Sequence, residues 1–130
     1  MECHPIGTVH APEGETPRHW SGSSVEGRLV LDAPYRPGLD GITAGQRIVV
    51  LFAFDRSPVF TPGHLRVTPP SATEPRGLFS TCSPVRPNPI GLSVLEVLEV
   101  GSGWLRVRGL DMFDGTPILD IKPHFPAGTD

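Results

Sequence analysis

The stretch Arg47–Phe54, RIVVLFAF, decides the fold, because it is almost continuously apolar and rich in β-branched residues. Such a run predicts a central strand that is buried on both faces. Further along the chain, Leu105–Arg108 (LRVR) alternates apolar and charged residues, which predicts a half-exposed strand with both arginines on one face. The Gly-Ser-Gly sequence that starts at Gly101 predicts a hairpin turn just before this second strand.

Further short runs predict strands on either side of these two, with turn-forming residues between them. They are Ile6–His10, Gly27–Leu31, Leu65–Thr68, Gly77–Ser80, Leu92–Val100, Trp104–Leu110 and Ile118–Ile121. No long window has helical periodicity, and a turn or short helix is expected only at Gly38–Gly45. The prolines from Pro69 to Pro89 predict extended surface segments. The sequence therefore predicts an all-β fold, a compact single-domain β-barrel over residues 1–130 with few or no helices.

The composition is that of a folded domain with one core. The chain has 130 residues, and 38% of them are hydrophobic, so its 15 glycines and 16 prolines are interpreted as turns between strands rather than as disorder. The formal net charge of −3 counts against a dedicated nucleic-acid binder. Ten of the eleven cations are arginine, however, and arginine suits phosphates and bases.

The two cysteines, Cys3 and Cys82, are predicted to be free thiols in a reduced, cytoplasmic protein. No apolar run approaches the roughly 20 residues that a membrane helix needs, so no membrane partner is expected. Cys3, His4 and His10 lack the spacing of metal ligands, so no metal is expected either.

A first motif, SPVRPNPIGLS at Ser83–Ser93, carries several prolines close together. Prolines fix φ and hold the preceding residues extended, so Arg86 and Asn88 lie on a stiff backbone suited to holding a ligand. Arginine offers a planar fork, and an asparagine side chain both donates and accepts hydrogen bonds. A stiff loop with Asn88 bonded to its own backbone explains the residues too, and both interpretations stay open.

A second motif, LDMFDGTPILDIKP at Leu110–Pro123, carries three carboxylates and a lysine. Carboxylates can accept ribose hydroxyls, favour a sulfonium cation or act as a base. Asp114 is favoured as part of a turn with the following glycine, whereas Asp111 and Asp120 stay open between a site and a surface role. Asp120 and Lys122 can also form a solvated pair on one strand face.

The segment Pro17–Trp20, PRHW, places an arginine, a possible base and a stacking ring in sequence. Such a segment can close over a ligand. A surface loop with Trp20 packed against the protein is the favoured interpretation of these residues alone.

Taken together, RGLFSTCSPVRPNPIGLS (Arg76–Ser93) followed by LDMFDGTPILDIKP (Leu110–Pro123) resembles the signature of the TsaA/TrmO family. Both the order of the motifs and their separation by one β-hairpin are similar. The resemblance implies a compact β-barrel that forms a homodimer and binds S-adenosylmethionine beside the interface. It also implies a tRNA partner, with methyl transfer to the exocyclic amine of a threonylcarbamoyl-modified adenine next to the anticodon.

The resemblance also implies roles for particular residues, position by position. The residues that would contact the cofactor are Pro17, Arg18, His19, Asp55, Arg56, Cys82, Leu92, Arg108, Gly109, Leu110 and Asp111. Those that would shape the site are Arg86, Asn88, Asp114 and Lys122. Asp111 is the candidate for accepting the proton that the amine loses, and no metal is required for this chemistry.

The chain departs from the family pattern at four of its positions. Cys82 stands where the family usually has arginine, Asp55 where it has histidine, His19 where it has glutamine and His124 where it has tyrosine. Two alternative functions are therefore kept beside the tRNA methyltransferase. One is a methyltransferase of the same fold for another small substrate, and the other is a non-catalytic module that binds S-adenosylmethionine or another small ligand.

Overall fold

The computed structural model describes residues 1–14 and 16–126, and these contain eight strands. The strands are β1 (Gly7–His10), β2 (Glu26–Leu31), β3 (Arg47–Ala53), β4 (Arg66–Val67), β5 (Arg76–Gly77), β6 (Ile90–Val100), β7 (Trp104–Arg108) and β8 (Pro117–Pro123). The chain divides into two units, residues 1–53 with 92–130, and residues 54–91. The prediction of one domain over residues 1–130 extends beyond the described residues and stays a prediction.

Six strands close into a barrel in the order β1-β2-β7-β6-β3-β8. The pairs β1–β2, β2–β7, β6–β7, β3–β8 and β1–β8 are all antiparallel. Closure gives each of these strands a partner on both sides, so their backbone groups are satisfied without an open sheet edge. The all-β barrel prediction is confirmed.

The predicted strand runs all overlap strands of the structure, although several ends differ. Within the described residues the helices are four short 3₁₀ helices, at Trp20–Gly22, Ala33–Leu39, Pro62–Leu65 and Leu78–Ser80. At Gly38–Gly45, where a turn or short helix is expected, the second of these helices ends and two turns follow. Few helices, all of them short, agree with the prediction.

The prediction that β3 is buried on both faces is wrong. Ile48, Val50 and Phe52 are buried, whereas Val49 and Leu51 on the other face are only half-buried. A strand of a closed barrel turns one face to the interior and the other outward. An uninterrupted apolar run can therefore bury only its alternate residues completely.

The strand β7 has the predicted alternation. Leu105 and Val107 are fully buried in the core, whereas Arg106 and Arg108 lie on the outward face. The predicted hairpin turn precedes it: the Gly101 N–H donates to the carbonyl of Trp104 at 2.9 Å. The core around β7 consists of aliphatic residues from every barrel strand, among them Val9, Leu29, Leu31, Ile48, Val50, Leu95, Val97 and Ile118.

The barrel closes along a seam between β1 and β8, where the register contains the pairs Gly7↔Ile118 and Thr8↔Pro117. The turn before β8 extends this seam. The N–H of Val9 donates to the Thr116 carbonyl at 2.9 Å, and the N–H of Gly115 donates to the Val9 carbonyl at 2.8 Å. Residues of the second motif thus supply hydrogen bonds that complete the barrel.

The second unit, residues 54–91, contains the two-stranded β4–β5 ribbon and two of the 3₁₀ helices. The predicted strand at Gly77–Ser80 is wrong beyond its first residue, because Leu78–Ser80 is a 3₁₀ helix. The Ser80 hydroxyl donates to the Gly77 carbonyl at 2.7 Å, and the Thr81 N–H donates to the Leu78 carbonyl at 3.0 Å. These local bonds satisfy groups that a strand would pair across a ladder.

We expect Leu105→Ala to lower the free energy of unfolding by about 2–5 kcal/mol, because it leaves a cavity in the closed core. Leu65→Ala is the matched control, since Leu65 is 45% exposed in the second unit. The control should change the free energy by less than about 1 kcal/mol. Urea denaturation followed by circular dichroism measures both, and equal effects would contradict the assignment of the core.

Candidate functional site

The two sequence motifs meet at one hydrogen bond in the first unit. Ser93, the last residue of the first motif, lies on β6 and is fully buried. Its hydroxyl donates to Oδ1 of Asp111, the second residue of the second motif, at 2.5 Å. Asp111 is half-buried and follows β7. The β6–β7 hairpin thus brings together two polar groups that are 18 residues apart in the chain.

A tight turn after β7 places Asp111. Gly109 is buried and has a φ of +110°, a left-handed conformation that favours glycine. The N–H groups of Gly109 and Leu110 both donate to the carbonyl of Val25, at 2.9 and 3.1 Å. The Ser23 hydroxyl donates to the Leu110 carbonyl at 2.6 Å. The backbone on both sides of Leu110 is therefore held by the segment that leads into β2.

The same N-terminal segment brings the His19 side chain and the backbone of Trp20 to the carboxylate. The backbone N–H of Trp20 and the side chain of His19 lie close enough to Asp111 to favour its charged form. His19 caps the first 3₁₀ helix, accepting at Nδ1 from the Ser21 N–H at 3.2 Å. In the neutral imidazole the proton is therefore assigned to Nε2. The rings of His19 and Trp20 lie 5.0 Å apart between centroids.

Burial raises the pKa of the Asp111 carboxyl above its ordinary value. Desolvation is the largest cause, because it penalises the charged form. The hydrogen bond from Ser93, the nearby backbone N–H of Trp20 and the charge of His19 act in the opposite direction. The result is a carboxylate that is more basic than an exposed aspartate and that is oriented by a neutral donor, the Ser93 hydroxyl.

Other predicted site residues of the first unit make contacts of their own. Arg108 is exposed, and its guanidinium pairs with Glu96 at 2.7 Å, which raises the pKa of Arg108 through the hydrogen bond and the charge of Glu96. Lys122 pairs with Asp120 at 3.0 Å, and both side chains are about half exposed. The pair therefore matches one of the two interpretations of the sequence, a solvated ion pair on one strand face.

Asp114 lies in the turn favoured by the sequence, before Gly115 with its φ of +86°. Its Oδ1 accepts from the backbone N–H of Ala11 at 3.0 Å, so the side chain also fastens the chain after β1. Leu92 is 52% exposed at the start of β6. Pro17 is half-buried, whereas Arg18 is exposed.

The remaining candidates lie in the second unit. Arg86 donates from Nη1 to the carbonyls of Thr81 and Ser83, at 3.1 and 3.0 Å, which fixes the bend of the first motif. Asn88 is exposed, and its backbone carbonyl accepts from the Ile90 N–H at 2.7 Å. Asp55, Arg56 and Cys82 are also exposed, and Cys82 and Cys3 are free thiols as predicted. The binding roles assigned to these residues stay predictions.

The sequence prediction did not include two serines that organise the site. Ser23 holds the turn after β7, and Ser93 holds the carboxylate itself. A signal for Ser93 was present: it is a hydroxyl in the middle of an apolar strand, and a buried polar group needs a hydrogen-bond partner. Ser23 lies in a loop of polar residues and carries no comparable signal.

The arrangement around Asp111 suits a cationic or ribose-containing ligand. A half-buried carboxylate can accept hydroxyl hydrogen bonds, attract a cation or take up a proton. The faces of His19 and Trp20 can stack on a base or lie against a positive group. In the described part of the chain, no three histidine, cysteine or acidic side chains come together as a metal site. No helix of that part is long and apolar enough to span a membrane.

The fold and this arrangement define a small barrel protein with a half-buried, hydrogen-bonded aspartate just after β7. Residues 6–129 match the family described as "tRNA-methyltransferase O N-terminal domain". The chain belongs to this family, as its two motifs indicate.

Two relatives and one solved structure illustrate the range of the similarity. An S-adenosyl-L-methionine-binding protein of Archaeoglobus fulgidus is 42% identical over 129 residues, which cover 97% of this chain and 91% of the relative. The tRNA (adenine(37)-N6)-methyltransferase of Escherichia coli is 37% identical over 138 residues, covering 93% of this chain and 56% of the relative. The crystal structure of TrmO from Pseudomonas aeruginosa superposes with a TM-score of 0.75 at 29% identity, covering 97% of this chain and 56% of the TrmO chain.

The chain therefore spans nearly the whole archaeal relative but little more than half of the Escherichia coli and Pseudomonas proteins.

We expect Asp111→Asn to raise the free energy of unfolding at pH 7 by up to about 1 kcal/mol, because the amide avoids the desolvation of a charge. The folded-state pKa of Asp111 lies above its ordinary value of 3.8. Below pH 3.8 the cost of burying the charge is therefore absent, and it develops as the pH rises from there through the folded-state pKa. Urea denaturation at pH 3.5 and pH 7 measures the difference. A stabilisation that is the same at both pH values would contradict the assignment.

Ser93→Ala should lower the free energy of unfolding by about 1–3 kcal/mol at pH 7, because it leaves the ionised carboxylate without its buried donor. The loss should be smaller at pH 3.5, since the hydrogen bond favours the charged form of Asp111. The exposed Ser24 gives the control variant Ser24→Ala. An equal, pH-independent loss for both serines would show that Ser93 merely fills space.

Proposed function

We propose that this chain is an S-adenosylmethionine-dependent methyltransferase that acts on an adenine of tRNA. The observation that carries the proposal is the Ser93–Asp111 hydrogen bond, which joins the two family motifs and holds a half-buried carboxylate close to His19. The relatives support it by name, one as an S-adenosyl-L-methionine-binding protein and one as a tRNA (adenine(37)-N6)-methyltransferase.

The donor set around Asp111 fits S-adenosylmethionine, which combines a positive sulfonium with an adenosine. The Ser93 hydroxyl is a neutral donor, so it orients the carboxylate without cancelling its charge. A desolvated carboxylate attracts a cation more strongly than an exposed one does. His19 and Trp20 add ring faces that suit the base or the sulfonium.

When bound, S-adenosylmethionine supplies a methyl group that is already activated by the positive sulfur. The chain's own residues therefore align the acceptor amine and exclude water. Asp111 takes up the proton that the amine loses, and its raised pKa makes it a better proton acceptor than an exposed aspartate. The Ser93 hydroxyl keeps the carboxylate in one orientation while it does so.

The finer proposal concerns the acceptor and the assembly. The acceptor is the exocyclic amine of a threonylcarbamoyl-modified adenine next to the anticodon, and the protein works as a cytoplasmic homodimer. The motif pair at Arg76–Ser93 and Leu110–Pro123 supports this proposal through its resemblance to the family signature.

A second candidate function rests on the altered residues of the second unit. Cys82 and Asp55 are exposed where the family usually has arginine and histidine, so a pocket that contains them would favour a different substrate. Mass spectrometry of tRNA nucleosides from a deletion strain separates the two candidates. Loss of a methylated adenine supports the tRNA substrate, and an unchanged nucleoside profile favours another small acceptor.

We expect the protein to bind S-adenosylmethionine and Asp111→Asn to weaken this binding at least tenfold, or about 1.4 kcal/mol. S-adenosylhomocysteine is the matched ligand, because its uncharged thioether does not depend on a nearby carboxylate. Isothermal titration with both ligands measures the difference, and Asp40→Asn, at an exposed aspartate, is the control. Absence of binding to the unaltered protein at millimolar ligand would overturn the proposed function.

A further inference from the structure

The charges of the chain are distributed unevenly between its two units. Residues 54–91 carry four arginines against two acidic residues, whereas the rest of the chain carries seven cations against twelve acidic residues. The formal charge is therefore +2 in the second unit and −5 in the rest. The overall value of −3 conceals a basic segment.

Several cations of the first unit pair with carboxylates, although Arg36 of that unit donates to the Leu31 carbonyl at 3.1 Å. In the first unit Arg106 pairs with Glu26 at 2.8 Å, and Arg108 and Lys122 pair with carboxylates at 2.7 and 3.0 Å. In the second unit the hydrogen bonds of Arg66 and Arg86 go to backbone carbonyls. A carbonyl orients a guanidinium but does not neutralise it, so positive charge remains at the surface of this unit.

Arg66 and Arg76 lie on the β4–β5 ribbon, both exposed. The register pairs Arg66 with Gly77 and Val67 with Arg76, so the two guanidiniums project from opposite faces of the ribbon. Both faces of the ribbon therefore carry a guanidinium that can contact a phosphate.

An exposed aromatic ring lies in the same unit. Phe79 is 75% exposed, and the guanidinium carbon of Arg86 lies 5.9 Å from the centroid of its ring. A large apolar ring left in solvent has a cost, and an aromatic ring next to a guanidinium is the kind of platform on which unpaired RNA bases stack. Single-stranded loops are the part of RNA whose bases are free to do this.

We propose that residues 54–91 form the RNA-contacting surface, in which Arg66 and Arg76 contact phosphates and Phe79 stacks on an unpaired base. The inference rests on the proposed function, because it names the part of the chain that would recognise the tRNA. It explains how a protein with an acidic total charge holds a polyanion.

The first test is the salt dependence of RNA binding by Arg66→Ala/Arg76→Ala. Fluorescence anisotropy with a labelled tRNA anticodon stem-loop gives Kd at several salt concentrations. The slope of log K against log salt is negative, and in this variant it should become shallower by about 1.4. Each phosphate contact on a single strand accounts for about 0.7. Arg47→Ala, which removes an exposed arginine of the first unit, should leave the slope unchanged.

The second test separates stacking from charge. Phe79→Ala should weaken binding of the stem-loop by about tenfold or more, while its salt slope stays that of the unaltered protein. Phe79→Tyr should bind the stem-loop as tightly as the unaltered protein does, because it keeps the ring. Phe125→Ala removes a ring that is 59% exposed in the first unit, and it should have no effect.

The outcomes distinguish this surface from the function on which it rests. If the unaltered protein binds the stem-loop but the three substitutions leave Kd and salt slope unchanged, the surface is wrong and the function stands. If the unaltered protein binds S-adenosylmethionine but no RNA, the proposed tRNA function fails as well. If Phe79→Ala changes only the oligomeric state in analytical ultracentrifugation, the ring belongs to a contact between copies of the chain, and the RNA assignment is overturned.

Discussion

Closure of the barrel between β1 and β8 is the constraint on which the other features depend. The seam is short, and backbone bonds of Val9 with Gly115 and Thr116 lengthen it beyond the strand register. The Asp114 side chain adds a bond to the Ala11 N–H. Without this seam the sheet would have two open edges, and the apolar residues between them would lose their enclosed interior. The turn of the second motif thus closes the barrel, in addition to being part of the family signature.

The site uses the same segment for a second purpose. The residues just before the closing turn place Asp111 against Ser93, and the loop before β2 holds them through Ser23 and Val25. Rigid strands on one side and a hydrogen-bonded turn on the other leave the carboxylate little freedom. Such a group costs folding free energy because it is partly desolvated, and active sites commonly contain this kind of cost.

Most of the fold could be predicted from the sequence, because the alternation in β7, the Gly-Ser-Gly turn and the apolar run of β3 are local signals. The burial of β3 could not, since an apolar run does not reveal whether one or both faces are covered. The 3₁₀ helix at Leu78–Ser80 depends on hydroxyl–backbone bonds that compete with strand pairing. The resemblance nominated Asp111 as a site residue, and that role stays a prediction. Its hydrogen-bond partner Ser93 could not be predicted without knowing which strand positions face each other.

The seam and the site differ greatly in sequence separation, and this difference bears on the order of folding. Ser93 and Asp111 are 18 residues apart on one hairpin, so their contact closes a short loop. Ala11 and Asp114 are separated by 103 residues, and joining them costs more chain entropy. Contacts of short range form at smaller entropic cost, and long-range pairings slow the folding of β proteins. The Ser93–Asp111 contact therefore has a smaller chain-entropy cost of formation than the contacts that close the barrel.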